Sequence, residues 1–311
     1  MKHVDLHCDT LTDSFDEGYS LSNCNLQINL EKLKKCGSAV QCFAIFTQGD
    51  DSPLKFKNYL GFYMQSLKEH NLKAVLNYSD FEECLKGERL GAILTVENSG
   101  FLSDLSELEA LHTAGVRMAS LVWNYENAFA CPNLIFDGDI PLFERRNPQG
   151  LKPLGKSAVE ILDSLKIIID ISHLSDGGVD ELLSGRKIPL VASHSNCVGV
   201  HNVSRNLTDS QIKKIADCGG VVGVNFCKDF LGEGQTFECV LKHINHLIKV
   251  GGEDITSFGS DFDGIPAPPD LEDCTKMPHL IEYLEENGIK GERLEKLCYK
   301  NFARVFKEVC G

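Results

Sequence analysis

Lys2-His3-Val4-Asp5-Leu6-His7-Cys8-Asp9-Thr10 is the stretch around which the rest of the chain is organised. Val4 and Leu6 alternate with polar neighbours, the period-two signature of a short strand. Residues two apart on a strand point the same way, so His7 and Asp9 are expected side by side at its C-terminal end, with Cys8 turned away. An imidazole and a carboxylate held like that make half of a divalent-metal site. Taken alone, an H-x-D tripeptide is more often a surface histidine beside a turn-forming aspartate. Its meaning depends on what other strands bring to the same place.

Outward from this stretch, apolar runs alternate with helical patterns. Residues 39–46 (AVQCFAIF), 91–96 (GAILTV) and 167–171 (IIIDI) read as strands covered on both faces. Further strand candidates are 117–122, 189–192, 221–225 and 255–259. Helical patterns fall at 30–35, 56–69, 105–112, 156–165, 178–183 and 236–250, with two more at 276–286 and 292–307. Ser79 with Asp80 and Glu83 predicts one capping-box helix start, and Thr208 with Gln211 a second. From Trp123 to about residue 155 no period shows, and ordered loops of that length usually carry function. Strand then helix, repeated about eight times, predicts an α/β chain with parallel strands, closed as a (β/α)8 TIM barrel of the metal-dependent hydrolase type. The alternative, a doubly wound open sheet, lacks its Gly-rich fingerprint here. With no repeat and no linker, residues 1–311 are expected to form one domain.

Composition excludes several classes. The formal net charge of −14 argues against nucleic acid or an anionic membrane as partner. No apolar run approaches the roughly 18 residues that span a bilayer. Thirteen cysteines, with no C-x-x-C pair and no leader pattern before the first strand, predict free thiols in a reducing cytoplasm.

In such a barrel the active site lies at the C-terminal ends of the strands. The polar residues expected there are His7 and Asp9 from the first strand, Glu97 from the third, His173 from the fifth, His194 from the sixth and Asp261 from the eighth. Three histidines and three carboxylates converging on one mouth is the composition of a two-metal hydrolytic centre.

These blocks resemble the membrane (renal) dipeptidase family, zinc peptidases of the amidohydrolase superfamily. The resemblance runs through DLHCDT at 5–10, VEN at 96–98, IDISHLSD at 169–176, SHSN at 193–196, RNL at 205–207, GSDFDG at 259–264, LEDCTKMPHLI at 271–281 and NFARVF near the C-terminus. It implies a dinuclear zinc dipeptidase, acting through a metal-bridging water on dipeptides that include L-Xaa-D-Xaa. His7 and Asp9 would hold one Zn2+, His173 and His194 the second, and Glu97 would bridge both. Asp261 would move the proton from water to the leaving amine. Arg205 would clamp the free carboxylate of the small-molecule substrate. Relatives that dimerise imply a possible homodimer.

One position departs from the family. Where relatives of the kidney enzyme carry a histidine thought to steady the tetrahedral intermediate, this chain has Trp123, followed by Asn124 and Tyr125. An indole donates one hydrogen bond but carries no charge. Either Asn124, Tyr125 or zinc supplies that contact, or the substrate is a different small amide or cyclic amide. A metal-binding barrel without turnover is the third reading. His243 and His246 read as helix-edge residues, His70, His112 and His279 as surface, and His201 as a candidate for the pocket wall.

Overall fold

The computed structural model describes residues 1–87, 89–266 and 268–311. Among the described residues eight parallel strands close on themselves: β1 (His3–Asp5), β2 (Ser38–Phe46), β3 (Gly91–Glu97), β4 (Val116–Ser120), β5 (Ile168–Asp170), β6 (Val191–Ala192), β7 (Val221–Val224) and β8 (Thr256–Phe258). Each pairs with its sequence neighbour, and β8 returns to β1 through Phe258 opposite Asp5, so the barrel has no open edge. A short strand, Lys73–Ala74, pairs with the start of β3 before β4 takes over that edge at Leu94.

Burial on both faces explains the apolar runs. Val40, Cys42, Ile93, Met118, Ile168, Val191 and Val221 fill the barrel, and Phe302 and Phe306 of the C-terminal helix Asn301–Cys310 join the same cluster. Truncating either phenylalanine to alanine is expected to cost about 3–5 kcal/mol. The alternate residues Leu94, Val96, Ile169, Val222 and Val224 pack outward against the helices. Helix boundaries follow their caps. Asn29 opens helix Leu30–Cys36 and left-handed Gly37 closes it, while Thr208 and Gln211 form a reciprocal capping box.

Some boundaries differ from expectation. The helix expected to start at Ser79 is Tyr78–Lys86, capped by Asn77, whose side chain accepts from Asp80 N. Asp80 in turn accepts from Leu76 N, one residue before the cap, and Glu83 pairs with Lys73 instead of closing a capping box. A helix, Thr10–Asp16, follows the first strand directly. The long loop holds a small hairpin, Phe136–Asp137 with Ile140–Pro141. The last helix is interrupted by a π turn at Lys296–Lys300. Among the described residues no helix is long and apolar enough to cross a membrane.

Candidate metal centre

At the strand ends Asp9, Glu97, His173 and Asp261 line one cavity of about 400 Å3, with His7 and His194 buried against them. Beyond β1 the chain stays hydrogen-bonded on both sides, Leu6 N to Phe258 O and Asp9 N to Phe262 O on one, Ala44 N to Cys8 O on the other. Cys8 is buried in the outer apolar cluster, so alternation sends His7 and Asp9 into the mouth. Asp5 secures this corner by accepting from Ser260 N at 2.8 Å and Ser260 Oγ at 2.6 Å, which ties β1 to the segment carrying Asp261. On β3 the same alternation runs from Ile93 through Thr95 to Glu97. At His173 and Asp261 the backbone turns left-handed, with φ of 69° and 64°. Gly264 lets the following loop pass close by: a Cβ there would lie 2.2 Å from Asp9 Oδ2 and 2.8 Å from Asp261 Oδ1.

Three overlapping trios have ligand atoms within 4.8 Å of one another: His7, Asp9 and Glu97; Glu97, His173 and His194; His7, His194 and Asp261. Glu97 belongs to the first two. Its Oε2 lies 3.6 Å from His7 Nε2, and its Oε1 lies 2.9 Å from His173 Nε2 and 3.7 Å from His194 Nε2.

Proton placement tests whether a metal fits. His173 Nδ1 lies 2.8 Å from Asn124 Oδ1, which only accepts, so the ring proton sits on Nδ1. His194 Nδ1 lies 2.7 Å from Ser193 Oγ, whose own proton goes to Asp170, so His194 is also a donor through Nδ1. Both Nε2 lone pairs are left facing each other at 2.8 Å. His7 Nε2 is buried without any hydrogen-bond partner. Converging lone pairs and carboxylates with their outer nitrogens pinned are the donor set of a divalent metal. The residues fit the group.

Electrostatics agree. Burial pulls the His7 imidazole down, but the Glu97, Asp9 and Asp261 carboxylates together raise it to about 10. Burial pushes Glu97 well above the carboxylate range, and pushes Asp261 up to about 6. Burial, helped by the positive Arg205, holds His173 well below its ordinary value, and His194 is lowered chiefly by burial too. The two buried neutral imidazoles of His173 and His194 suit a cation, and the carboxylates that hold a proton on His7 would favour a metal ion in its place.

Arg205 is 2% exposed and lines the cavity. Its Nη2 lies 3.2 Å from His173 Nε2, its guanidinium rests 5.2 Å from the Phe230 ring centroid, and Nη1 has no partner. Trp123 also lines the cavity, between Phe46 and His173 at ring separations of 4.7 and 6.1 Å. Asn124 reaches the cavity too, but its amide oxygen is spent on His173. Tyr125 is drawn out of the cavity lining, 49% exposed and stacked on Phe136 of the hairpin. His201 packs beside Gly232 instead of the pocket wall. His243 is fully buried, accepting from Cys197 N and donating to Leu231 O, where the helix pattern suggested an edge.

Sequence reading missed three supports of the centre. Asn225, just past β7, donates to Asp261 Oδ2 at 2.9 Å. Asp170 accepts from Ser172 N and Ser193 N, both at 2.9 Å, bracing β5 against β6. Asn225 carried a legible signal, because it was the polar residue ending the seventh strand. Asp170 and Ser193 had none, since short polar residues near strand ends are common.

A closed parallel barrel with this donor set at its mouth has the make-up of a metal-dependent hydrolase. The sequence profile of the membrane dipeptidase family (peptidase family M19) matches residues 1–310, and the chain belongs to that family. It is thus a metallo-dipeptidase by class. An uncharacterized Klebsiella pneumoniae protein from the pqqA 5′ region is 36% identical over 245 residues, 76% of this chain and 89% of that one. An uncharacterized dipeptidase of Schizosaccharomyces pombe is 33% identical over 212 residues, 66% of this chain but only half of the yeast protein's length. Among solved structures, the metallopeptidase dipeptidase AC superposes with a TM-score of 0.89 at 26% identity, covering 100% of this chain and 99% of its own. A Rhodobacter sphaeroides metallopeptidase liganded with a phosphinate mimic of L-Ala-D-Ala shares the fold, with a TM-score of 0.88 at 24% identity and 99% coverage of both chains.

Proposed function

We propose that this chain hydrolyses dipeptides bearing a free C-terminal carboxylate, including those ending in a D-residue, with two zinc ions held by His7, Asp9, Glu97, His173 and His194. The observation that carries the reading is the Glu97 carboxylate, which offers one oxygen to each trio, beside an unpartnered guanidinium nitrogen in the same cavity. When bound, the metals supply Lewis acidity toward the scissile carbonyl and lower the pKa of the attacking water.

The rest is the work of the protein. Arg205 receives the substrate carboxylate on Nη1 while its Nη2, donating to His194 O at 3.5 Å, and the Phe230 ring keep the fork in place. A longer peptide has no carboxylate at that point and leaves the guanidinium buried without a counter-charge, which selects for short substrates. Asp261, steadied by Asn225, takes the proton from the attacking water and returns it to the leaving amine. Phe46 and Trp123 form an apolar wall that limits water around the reacting bond. The many buried free thiols support a reducing, cytoplasmic setting.

Zinc-loaded protein should release amine from a panel of L-Xaa-L-Xaa and L-Xaa-D-Xaa dipeptides, and Glu97→Gln should abolish it. Two zinc equivalents with no dipeptide turnover would sink the reading. Trp123 in place of the family's histidine favours the second reading, hydrolysis of another small amide or cyclic amide, which that result would select.

A further inference from the structure

Asp13 lines the active cavity near Asp9 but belongs to none of the ligand trios. Its carboxylate differs from its neighbours in having nothing to do. Asp263 is fully engaged, with Thr10 Oγ1, Gln27 N and Ile28 N all donating to it. Asp16 receives the Tyr59 hydroxyl at 3.0 Å. The groups acting on Asp13 are its burial and the negative charges of Asp9, Asp263, Asp16 and Glu17, with no cation among the described residues paired to it.

Asp13 also stands on a threshold. A second hollow of about 360 Å3 opens on its far side, lined by Asp16, Glu17, Tyr19 and Asn25, and Asp13 is common to both cavities. The active cavity is polarised in the same direction. Arg205, with its unpartnered Nη1, sits on the His173 and His194 side, whereas Asp9, 3.4 Å from His7 Nε2, and Asp13, on the helix that follows it, lie on the β1 side. A dipeptide anchored by its carboxylate on Arg205, with its carbonyl at Glu97, therefore extends its N-terminal residue toward Asp13.

We propose that Asp13 is a specificity-determining residue that selects dipeptides whose N-terminal residue carries a basic side chain, which lies over Asp13 and into the acidic hollow beyond. The inference rests on the dipeptidase reading and goes further by naming the substrate class. A lysine- or arginine-like side chain places its charge at the end of a flexible stem, long enough to pass a threshold that the α-ammonium cannot. A neutral side chain gains nothing there, and an acidic one is repelled.

The test compares kcat/KM of the zinc-loaded full chain for Lys-Ala, Ala-Ala and Glu-Ala, then repeats it with Asp13→Asn and Asp13→Glu. The wild type should favour Lys-Ala over Ala-Ala by about tenfold or more and place Glu-Ala last, the order expected when charge complementarity sets partner choice. Asp13→Asn should bring the Lys-Ala to Ala-Ala ratio close to one, mainly through KM, and Asp13→Glu should keep it. A wild-type ratio near one, or a ratio that Asp13→Asn leaves unchanged, overturns this inference while the dipeptidase reading stands. If none of the three is cleaved, both fall together.

Discussion

Asn124→Leu tests how the proposed metal centre is held. In the native protein the Asn124 amide oxygen fixes the His173 proton on Nδ1 at 2.8 Å, leaving the Nε2 lone pair directed at Glu97 Oε1 and His194 Nε2, 2.9 and 2.8 Å away. Leucine keeps the bulk but removes the acceptor. The His173 proton then either stays on Nδ1, buried and unpaired, or moves to Nε2, where it hydrogen-bonds to His194 and must be displaced before metal binds. An unpaired buried donor costs about 1–3 kcal/mol, a factor of about 5 to 150. That range overlaps the roughly 10- to 100-fold loss typical when an outer partner of a metal-ligating histidine is removed. One of two zinc equivalents should therefore weaken by about 10- to 100-fold in competition with a chromophoric chelator. Long-range 15N correlation spectra of the metal-free variant should show the His173 proton on Nε2, and Asn124→Asp, which retains an acceptor, should behave like wild type. Native affinity for both equivalents together with an unchanged His173 tautomer in the leucine variant would refute the reasoning.

Arg205→Met should lower kcat/KM for dipeptides by about 2–5 kcal/mol, equivalent to roughly 30- to 4,000-fold, because it removes one partner of a buried charge pair. Capping the substrate carboxylate as an amide should cost the wild type heavily and the variant little; equal losses in both would show that Arg205 does not read the carboxylate. Asn225→Ala removes a hydrogen bond that opposes the upward shift of Asp261, so the acid limb of the kcat/KM profile should move to higher pH, and a limb that stays or moves down would contradict the assigned base. His243 supplies an acid-stability prediction away from the centre. Burial lowers it to about 4, and its Nδ1 already accepts from Cys197 N at 3.1 Å, so the folded chain resists a second ring proton that the unfolded chain takes up below about 6.5. Stability should accordingly fall by about 2 kcal/mol between pH 7 and pH 5 on this account alone. His243→Gln should lose that part of the slope in urea titrations, and an unchanged slope would exclude the mechanism.

The barrel was legible because its strands are buried on both faces, so runs such as residues 39–46 and 91–96 lack the polar alternation of a half-exposed sheet. The candidate site was legible for a related reason. At the mouth a core position stops being apolar, and Glu97 stands out as a carboxylate at the end of a strand buried throughout. What stayed hidden is set by distance along the chain. Asn124 acts on a ring 49 residues away, and Asn225 on a carboxylate 36 residues away, pairings that no local period encodes.

A second limit comes from the backbone itself. Period-two reasoning holds only while the chain remains a strand, and Asn98, His173, Asp261 and Asp263 all lie in the left-handed region. Past such a residue the facing of each side chain no longer follows from its number. Conformations of this kind cost about 1–3 kcal/mol each and persist where the surroundings over-determine them. Here the surroundings are visible: Ser260 bonded to Asp5, Asn98 held by Thr47 O and Ser120 Oγ, His173 by Asn124 and Asp263 by Gln27 and Ile28. The same contacts that make those four residues unreadable from pattern hold the donor atoms of the mouth in place. Loosening one of them, as at Asn124, should therefore disturb metal affinity before it disturbs the fold, because the barrel's apolar interior at Val40, Ile93 and Phe302 lies in a separate cluster that the change does not touch.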